Sequence, residues 1–326
     1  AFGFAGHTAT APSHARAGTT VEPRLVRTPW DCYSLRQCIN TIAELTGKSS
    51  HVASRHRRRC PTTRCLHAAG MNMERYITPE RLIRARFGPG LPSWETVVLV
   101  FHGFIRSRRI VSRFDTRPFT RRLLSGTTAD DLYETTDFSG LIVSNIGARF
   151  GCGPTVAALV EELAYLGVQR IIGIGCAGSI NREVPRGTQF ILERALVTDG
   201  TAQRYGAPLW SFVTPDQSLL RVCRDIAASL GEYRRVTGAQ VDAIYQETPQ
   251  LVREWRSKGA DVINMEVSTL YSAAAYCGVP AVYLGHVSDE LLPDHWDPWT
   301  GDDRDEMVDR SADLAYALAK TTASEP

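Results

Sequence analysis

Residues 153–180, GPTVAALVEELAYLGVQRIIGIGCAGSI, constrain the fold more than any other stretch. Ala157, Val160, Leu163 and Ala164 recur at helical spacing, and Gly167 supplies the stop. The apolar run that follows is short and continuous, which suits a buried strand. It breaks into Gly173, Gly175 and Gly178, and this reads as a tight turn where something approaches the backbone closely. A helix that feeds a fully buried strand belongs to an α/β architecture, because a parallel or mixed sheet needs helices over its faces.

The alternation continues along the chain. TPERLIRARFG starts with Thr78 as a helix cap and Pro79 in the first turn. TVVLVFHG (96–103), GLIVSNIG (140–147) and a bent TQFILERALVTDG (188–200) read as strands. SLLRVCRDIAASLG (218–231) is an amphipathic helix, and RDEMVDRSADLAYALAKTTA (304–323) is the last one. ADVINMEVSTLYSAAAYCGV (260–279) is a strand running directly into a long helix, and PAVYLGHVSDE (280–290) is a strand with a polar end. The expected class is therefore α/β with a mainly parallel or mixed sheet.

Residues 1–70 differ in kind. They carry ten Lys/Arg against three acids, so with a total of +2 the remaining body is near −5. A slightly acidic body gives no electrostatic reason to expect nucleic acid. The leader lacks periodicity and is expected to be a disordered or mis-called extension, with Met71 or Met73 as the natural start and 71–326 as the domain. Its Arg-rich, acid-poor composition also resembles a transit peptide. Cys60, Cys65 and His67 do not make a closed zinc set, and no metal or cofactor is expected. No run of about 18 apolar residues exists, so no membrane partner is expected. Cys152, Cys176, Cys223 and Cys277 sit singly in apolar surroundings, as reduced thiols of a cytoplasmic protein would.

Three motifs carry the chemistry. GIGCAG (173–178) satisfies the dinucleotide pattern, but Pro185 and Gly187 forbid the helix that would hold a pyrophosphate. INMEVSTL (263–270) puts Glu266 where an apolar strand becomes a helix. There it is either a helix-dipole acid or a functional carboxylate. GHVSDE (285–290) ends a strand with Ser288 and Asp289, and sites in open α/β sheets gather at such ends.

In this order the three resemble the nucleoside phosphorylase superfamily, which contains uridine phosphorylases, hexameric-type purine nucleoside phosphorylases and related nucleosidases. The resemblance runs from about Val97 to Leu318. It implies a three-layer α/β/α sandwich around a mixed central sheet, and a homo-oligomer, either a dimer or a trimer of dimers. It implies that Glu266 accepts the ribose hydroxyls, that Met265 packs on the sugar, and that Cys176, Ala177 and Gly178 form the floor. DAIYQETPQLV (242–252) resembles the specificity segment, which puts Tyr245 at the base. Asp289 would protonate the leaving base, a task for a carboxyl group. LVTDGTAQRYGAP (196–208) resembles the substrate loop of uridine phosphorylases, so it leans to a pyrimidine while Asp289 leans to a purine.

The resemblance also implies inorganic phosphate as co-substrate, held by the loop after the first strand. FHGFIRSRR keeps Gly103, but Ser107 stands at the arginine position, flanked by Arg106 and Arg108. A second family arginine falls on Gly173, and Arg149 or a neighbouring subunit's Arg117 could replace it. Trp296 and Trp299 in HWDPW would belong to a lid. Phosphorolysis, hydrolysis of the same bond, and nucleoside binding without chemistry all remain open at this point.

Overall fold

The computed structural model describes residues 75–323 except 89, 122, 150, 293 and 299–303. The readings placed on 1–70 and on Trp299 lie outside the described residues. Along the described chain the elements are α1 (Pro79–Phe87), β1 (Thr96–Val100), α2 (Phe104–Val111), β2 (Thr116–Pro118), β3 (Leu132–Thr135), β4 (Gly140–Val143), α3 (Gly153–Tyr165) and β5 (Arg170–Ser179). There follow β6 (Gln189–Leu196), α4 (Gly200–Arg204), β7 (Phe212–Val213), α5 (Gln217–Leu230), β8 (Arg234–Gln240) and α6 (Pro249–Ser257). The last are β9 (Val262–Asn264), α7 (Val267–Cys277), β10 (Ala281–Leu292), β11 (His295–Asp297) and α8 (Arg304–Thr322).

The sheet is mixed and runs β11-β10-β6-β8-β9-β5-β1-β4-β3-β2, with β7 added beside β6. Alternation along each strand feeds two cores. Val97, Leu99 and Phe101 point to the face covered by α1, α3 and α7, whereas Val98 and Val100 point to the face covered by α2, α5 and α8. This is the expected layered α/β fold around a mixed sheet. A fully buried Leu or Ile is worth roughly 1.5–3 kcal/mol, so the two cores supply most of the driving force.

Part of the sheet closes on itself. β10 pairs parallel with β5 and antiparallel with β6, while β6, β8, β9 and β5 are joined in turn. Five strands thus form a ring. The bend expected in 188–200 appears as a register shift between Leu192 and Arg194 where β6 meets β8.

Two local expectations are corrected. The glycines of 173–178 do not form a turn. β5 continues through Ser179, and none of Gly173, Gly175 and Gly178 has a positive φ. They provide room instead. A Cβ on Gly173 would stand 2.7 Å from the Tyr283 ring, one on Gly175 would stand 2.0 Å from the Tyr283 hydroxyl, and one on Gly178 would meet Leu291 at 2.4 Å. The segment after β1 is likewise a helix, not a loop. Gly103 precedes α2, which buries Ser107, Ile110 and Val111 and leaves most of its charges outside.

Candidate active site

The carboxyl ends of β1, β5, β9 and β10 meet at one cavity of about 270 Å³. Its lining includes Phe101, Cys176, Ala177, Gly178, Met265, Glu266, Ser288 and Asp289. The three motifs, far apart in sequence, therefore share a wall, because β10 runs parallel beside β5, with a register shift between Val287 and Asp289 that pairs Asp289 with Gly178, while β9 abuts the end of β5.

Glu266 is 5% exposed and occupies the N-cap position of α7, yet its side chain caps nothing. Asn264 takes that task, its Oδ1 accepting the Val267 N–H at 3.3 Å. Glu266 thus stands at the helix start, as the helix-dipole reading expects, but does not serve as the hydrogen-bonding cap. One carboxylate oxygen accepts the Tyr283 hydroxyl at 2.5 Å and the other accepts the Met265 N–H at 2.7 Å. Burial pushes its carboxyl up to about 7, against the pull of these two donors. The start of α7 is pinned by Asp199, which is 2% exposed and accepts hydrogen bonds from Ser268 and Thr269.

Tyr283 escapes sequence reading. It is fully buried, stacked on Phe101 and on Phe190, and lies over the space that Gly173 and Gly175 leave. Nothing local marks it within PAVYLGH, since its meaning depends on the β5–β10 register. The arginine that the family resemblance requires at 173 has no room here, because the Tyr283 ring fills the place of its first carbons.

Asp289 is held on both oxygens. The Ser288 hydroxyl donates at 2.6 Å and the Trp296 indole N–H at 3.0 Å. Trp296 lies on β11, which folds back on β10 as a hairpin, so it steadies Asp289 and remains 64% exposed.

Tyr245 is corrected: it is 93% exposed and does not line the cavity. Residues 244–246 form a 3₁₀ turn, in which positions three apart share a face. Ile244 and Glu247 therefore face the cavity and Tyr245 points out. The 196–208 segment is also absent from the lining. It builds α4, capped by Asp199, whose carboxylate accepts the Ala202 N–H at 2.6 Å.

The candidate phosphate arginines separate by their partners. Arg149 is paired with Asp131 at 2.8 Å and Arg117 with Glu134 at 2.9 Å. Arg109 is committed to Asp305 and Asp309 on α8. Arg108 is exposed on the outer face of α2. Arg106 is half-buried with no ion pair among the described residues, and its charge reaches Cys176, His102 and His286. Gly103 and Arg106 border a second hollow at the start of α2, next to Arg304 and Asp305.

Beneath Arg106 lie two stacked histidines, His102 and His286, with ring centroids 5.3 Å apart. Burial, reinforced by Arg106, lowers His102 to about 3, and burial with the neighbouring His102 lowers His286 well below its ordinary value. Both are neutral at working pH, and among the described residues the buried His102 Nε2 has no hydrogen-bond partner. Cys176 lies in the same layer. Burial and the Glu266 carboxylate push its thiol up to about 11, so it is no nucleophile. Cys152, Cys176, Cys223 and Cys277 are free thiols. Among the described residues no three His, Cys, Asp or Glu side chains could hold a metal ion, and no helix is long and apolar enough to cross a membrane.

The chain has relatives. Residues 127–324 match the family model described as the phosphorylase superfamily. The chain belongs to that superfamily. A DeoD-type purine nucleoside phosphorylase of Alkaliphilus metalliredigens is 31% identical over 166 residues, covering 48% of this chain and 68% of the relative. Among the first curated relatives that the superfamily chain matches, it spans between 65% and 68% of their length. The purine nucleoside phosphorylase of Toxoplasma gondii superposes with a TM-score of 0.58 at 19% identity, covering 70% of this chain and 91% of the other. An AMP nucleosidase from Bacteroides thetaiotaomicron superposes with a TM-score of 0.54 at 16% identity, covering 76% and 98%. At such identities the likeness is one of fold, and it embraces phosphorylases and nucleosidases alike.

Proposed function

We propose that this superfamily member cleaves the N-glycosidic bond of a purine nucleoside with inorganic phosphate as acceptor. The observation that carries the reading is that Glu266 and Asp289 line one cavity. A phosphate oxygen forms the new bond to C1′ as the C1′–N bond breaks. The bonding pair leaves with the base, and Asp289 supplies a proton to the base nitrogen. The sugar passes through an oxocarbenium-like state, which a neighbouring carboxylate stabilises. Glu266 accepts the ribose hydroxyls on the lone pairs that Tyr283 and Met265 leave free. Met265 covers the sugar face as an adaptable apolar group. Arg106 has no ion pair among the described residues and its charge reaches Cys176 from the neighbouring hollow at the start of α2, which is why the phosphate reading rests on it and not on Arg108, Arg117 or Arg149.

Hydrolysis is the second reading, and the Tyr283 ring at Gly173 favours it, because it leaves one guanidinium fewer for phosphate. A nucleoside panel assayed with and without phosphate separates the two. Phosphorolysis requires base release to depend on phosphate and ribose 1-phosphate to accumulate; release that ignores phosphate sinks it. In the phosphate-dependent case Arg106→Ala raises the KM for phosphate about tenfold with the nucleoside KM nearly unchanged, as loss of a charge-assisted contact requires. Asp289→Asn lowers kcat for purine nucleosides by about 10²-fold or more, the usual worth of a positioned acid. Unaltered purine turnover in that variant would remove Asp289 from the reaction.

A further inference from the structure

Glu247 is the one carboxyl in the cavity wall that the reaction leaves unused. It follows the 3₁₀ turn of 244–246 and immediately precedes Thr248, whose hydroxyl accepts the Leu251 N–H and caps α6. A structured element on each side thus fixes its backbone. Its side chain lines the cavity beside Ile244, Ile263, Asp289 and Leu291. Among the described residues its carboxyl oxygens have no hydrogen-bond or ion-pair partner. The other two cavity carboxyls by contrast accept one donor on each oxygen, Glu266 from Tyr283 and Met265, Asp289 from Ser288 and Trp296.

Burial pushes Glu247 up to about 7, and the nearby Asp289 adds to this. A half-buried acid with apolar neighbours and no donor gains from any ligand that brings one. The sugar is accounted for at Met265 and Glu266. The Asp289 end of the cavity is where the leaving base must lie, and Glu247 stands at that end.

Resting on the function proposed above, we propose that Glu247 reads the base, and that the preferred substrates are purine nucleosides whose base turns a hydrogen-bond donor, an exocyclic amine or a lactam ring N–H, toward it. The ionised carboxylate, favoured above about pH 7 and by any donor that meets it, only accepts hydrogen bonds, so the edge of the base that meets it must donate. An exocyclic amine or a lactam ring N–H does so, whereas unsubstituted purine offers no N–H there. Ile244, Ile263 and Leu291 supply the apolar walls for the ring, and Glu247 supplies the polar contact that sets its orientation. Tyr245, one residue from the cavity-lining Ile244, takes no part because the turn directs it outward.

The test compares adenosine with purine riboside, which differ by that amine alone, in the full chain and in Glu247→Leu and Glu247→Gln. For the unaltered chain kcat/KM favours adenosine. Glu247→Leu erases at least about tenfold of that preference while purine riboside turnover stays within about twofold, the pattern expected for one lost charge-assisted hydrogen bond. Glu247→Gln keeps an acceptor oxygen in place and retains most of the preference. An unchanged preference in Glu247→Leu, or an equal loss on both substrates, overturns the assignment while leaving the proposed reaction intact. Cleavage of neither nucleoside by the unaltered chain overturns the proposed function and this inference with it.

Discussion

Replacing Glu266 by Gln is expected to lower the proposed nucleoside cleavage about 10²-fold or more and at the same time to stabilise the fold at alkaline pH. The two effects have one origin. Burial holds the Glu266 carboxyl at about 7 against 4.5 for the free group. Between those values the folded chain binds a proton that the unfolded chain has released. Stability therefore falls as pH rises through this window, and above about 7 the whole penalty is present. Its size is about 3 kcal/mol, from roughly 1.4 kcal/mol per pKa unit. Gln carries no charge and escapes it; its carbonyl still accepts the Tyr283 hydroxyl, while its amide cannot accept the Met265 N–H, which offsets about 1 kcal/mol of the gain. Urea denaturation at pH 8 is expected to show the gain, and at pH 4.5 it should nearly vanish. Turnover falls about 10²-fold or more, because a neutral amide cannot balance the cationic sugar. Unchanged turnover would remove Glu266 from the site, and equal stability at both pH values would contradict the buried-charge argument.

Gly285→Ala is the most disruptive single-methyl change that the site geometry suggests. Its Cβ would stand 2.0 Å from the Gly175 carbonyl oxygen and 2.9 Å from the Gly175 carbonyl carbon. Both are backbone atoms of β5, which is also paired with β1 and so cannot retreat. A loss of at least about 3 kcal/mol is expected, the upper range for overpacking. Gly200→Ala is the control. Nothing lies within 4 Å of its Cβ, and its helical position favours Ala, so Tm should hold or rise slightly. Similar melting temperatures for the two variants would show that the β5–β10 approach can relax.

The layers and the cavity wall were legible in the sequence because each rests on a local pattern. The 153–180 segment announces helix and buried strand through period and composition alone. Glu266 and Asp289 are conspicuous as acids at the ends of apolar strands. What escaped depends on register and on distance. Tyr283 acquires its role only once β10 lies beside β5. Tyr245 and Glu247 exchange places according to the phase of a single 3₁₀ turn. The arginines looked alike until their partners appeared, and Arg109 meets Asp309 200 residues away. The glycines misled for a related reason. Gly173 and Gly175 signal close approach, but the approaching group is this chain's own tyrosine.

The ring of β10, β6, β8, β9 and β5 bears on how the cavity responds to its contents. A strand in an open sheet can splay at its end, but each strand in a hoop is restrained from both sides. The Cys176–Gly178 floor and the Asp289 wall are two staves of that hoop, so their spacing is set before anything enters. Under the proposed function the hoop would act as a fixed gauge for the width of the base. Adjustment is left to parts outside it, namely the β11 hairpin carrying Trp296 and the short turn carrying Glu247.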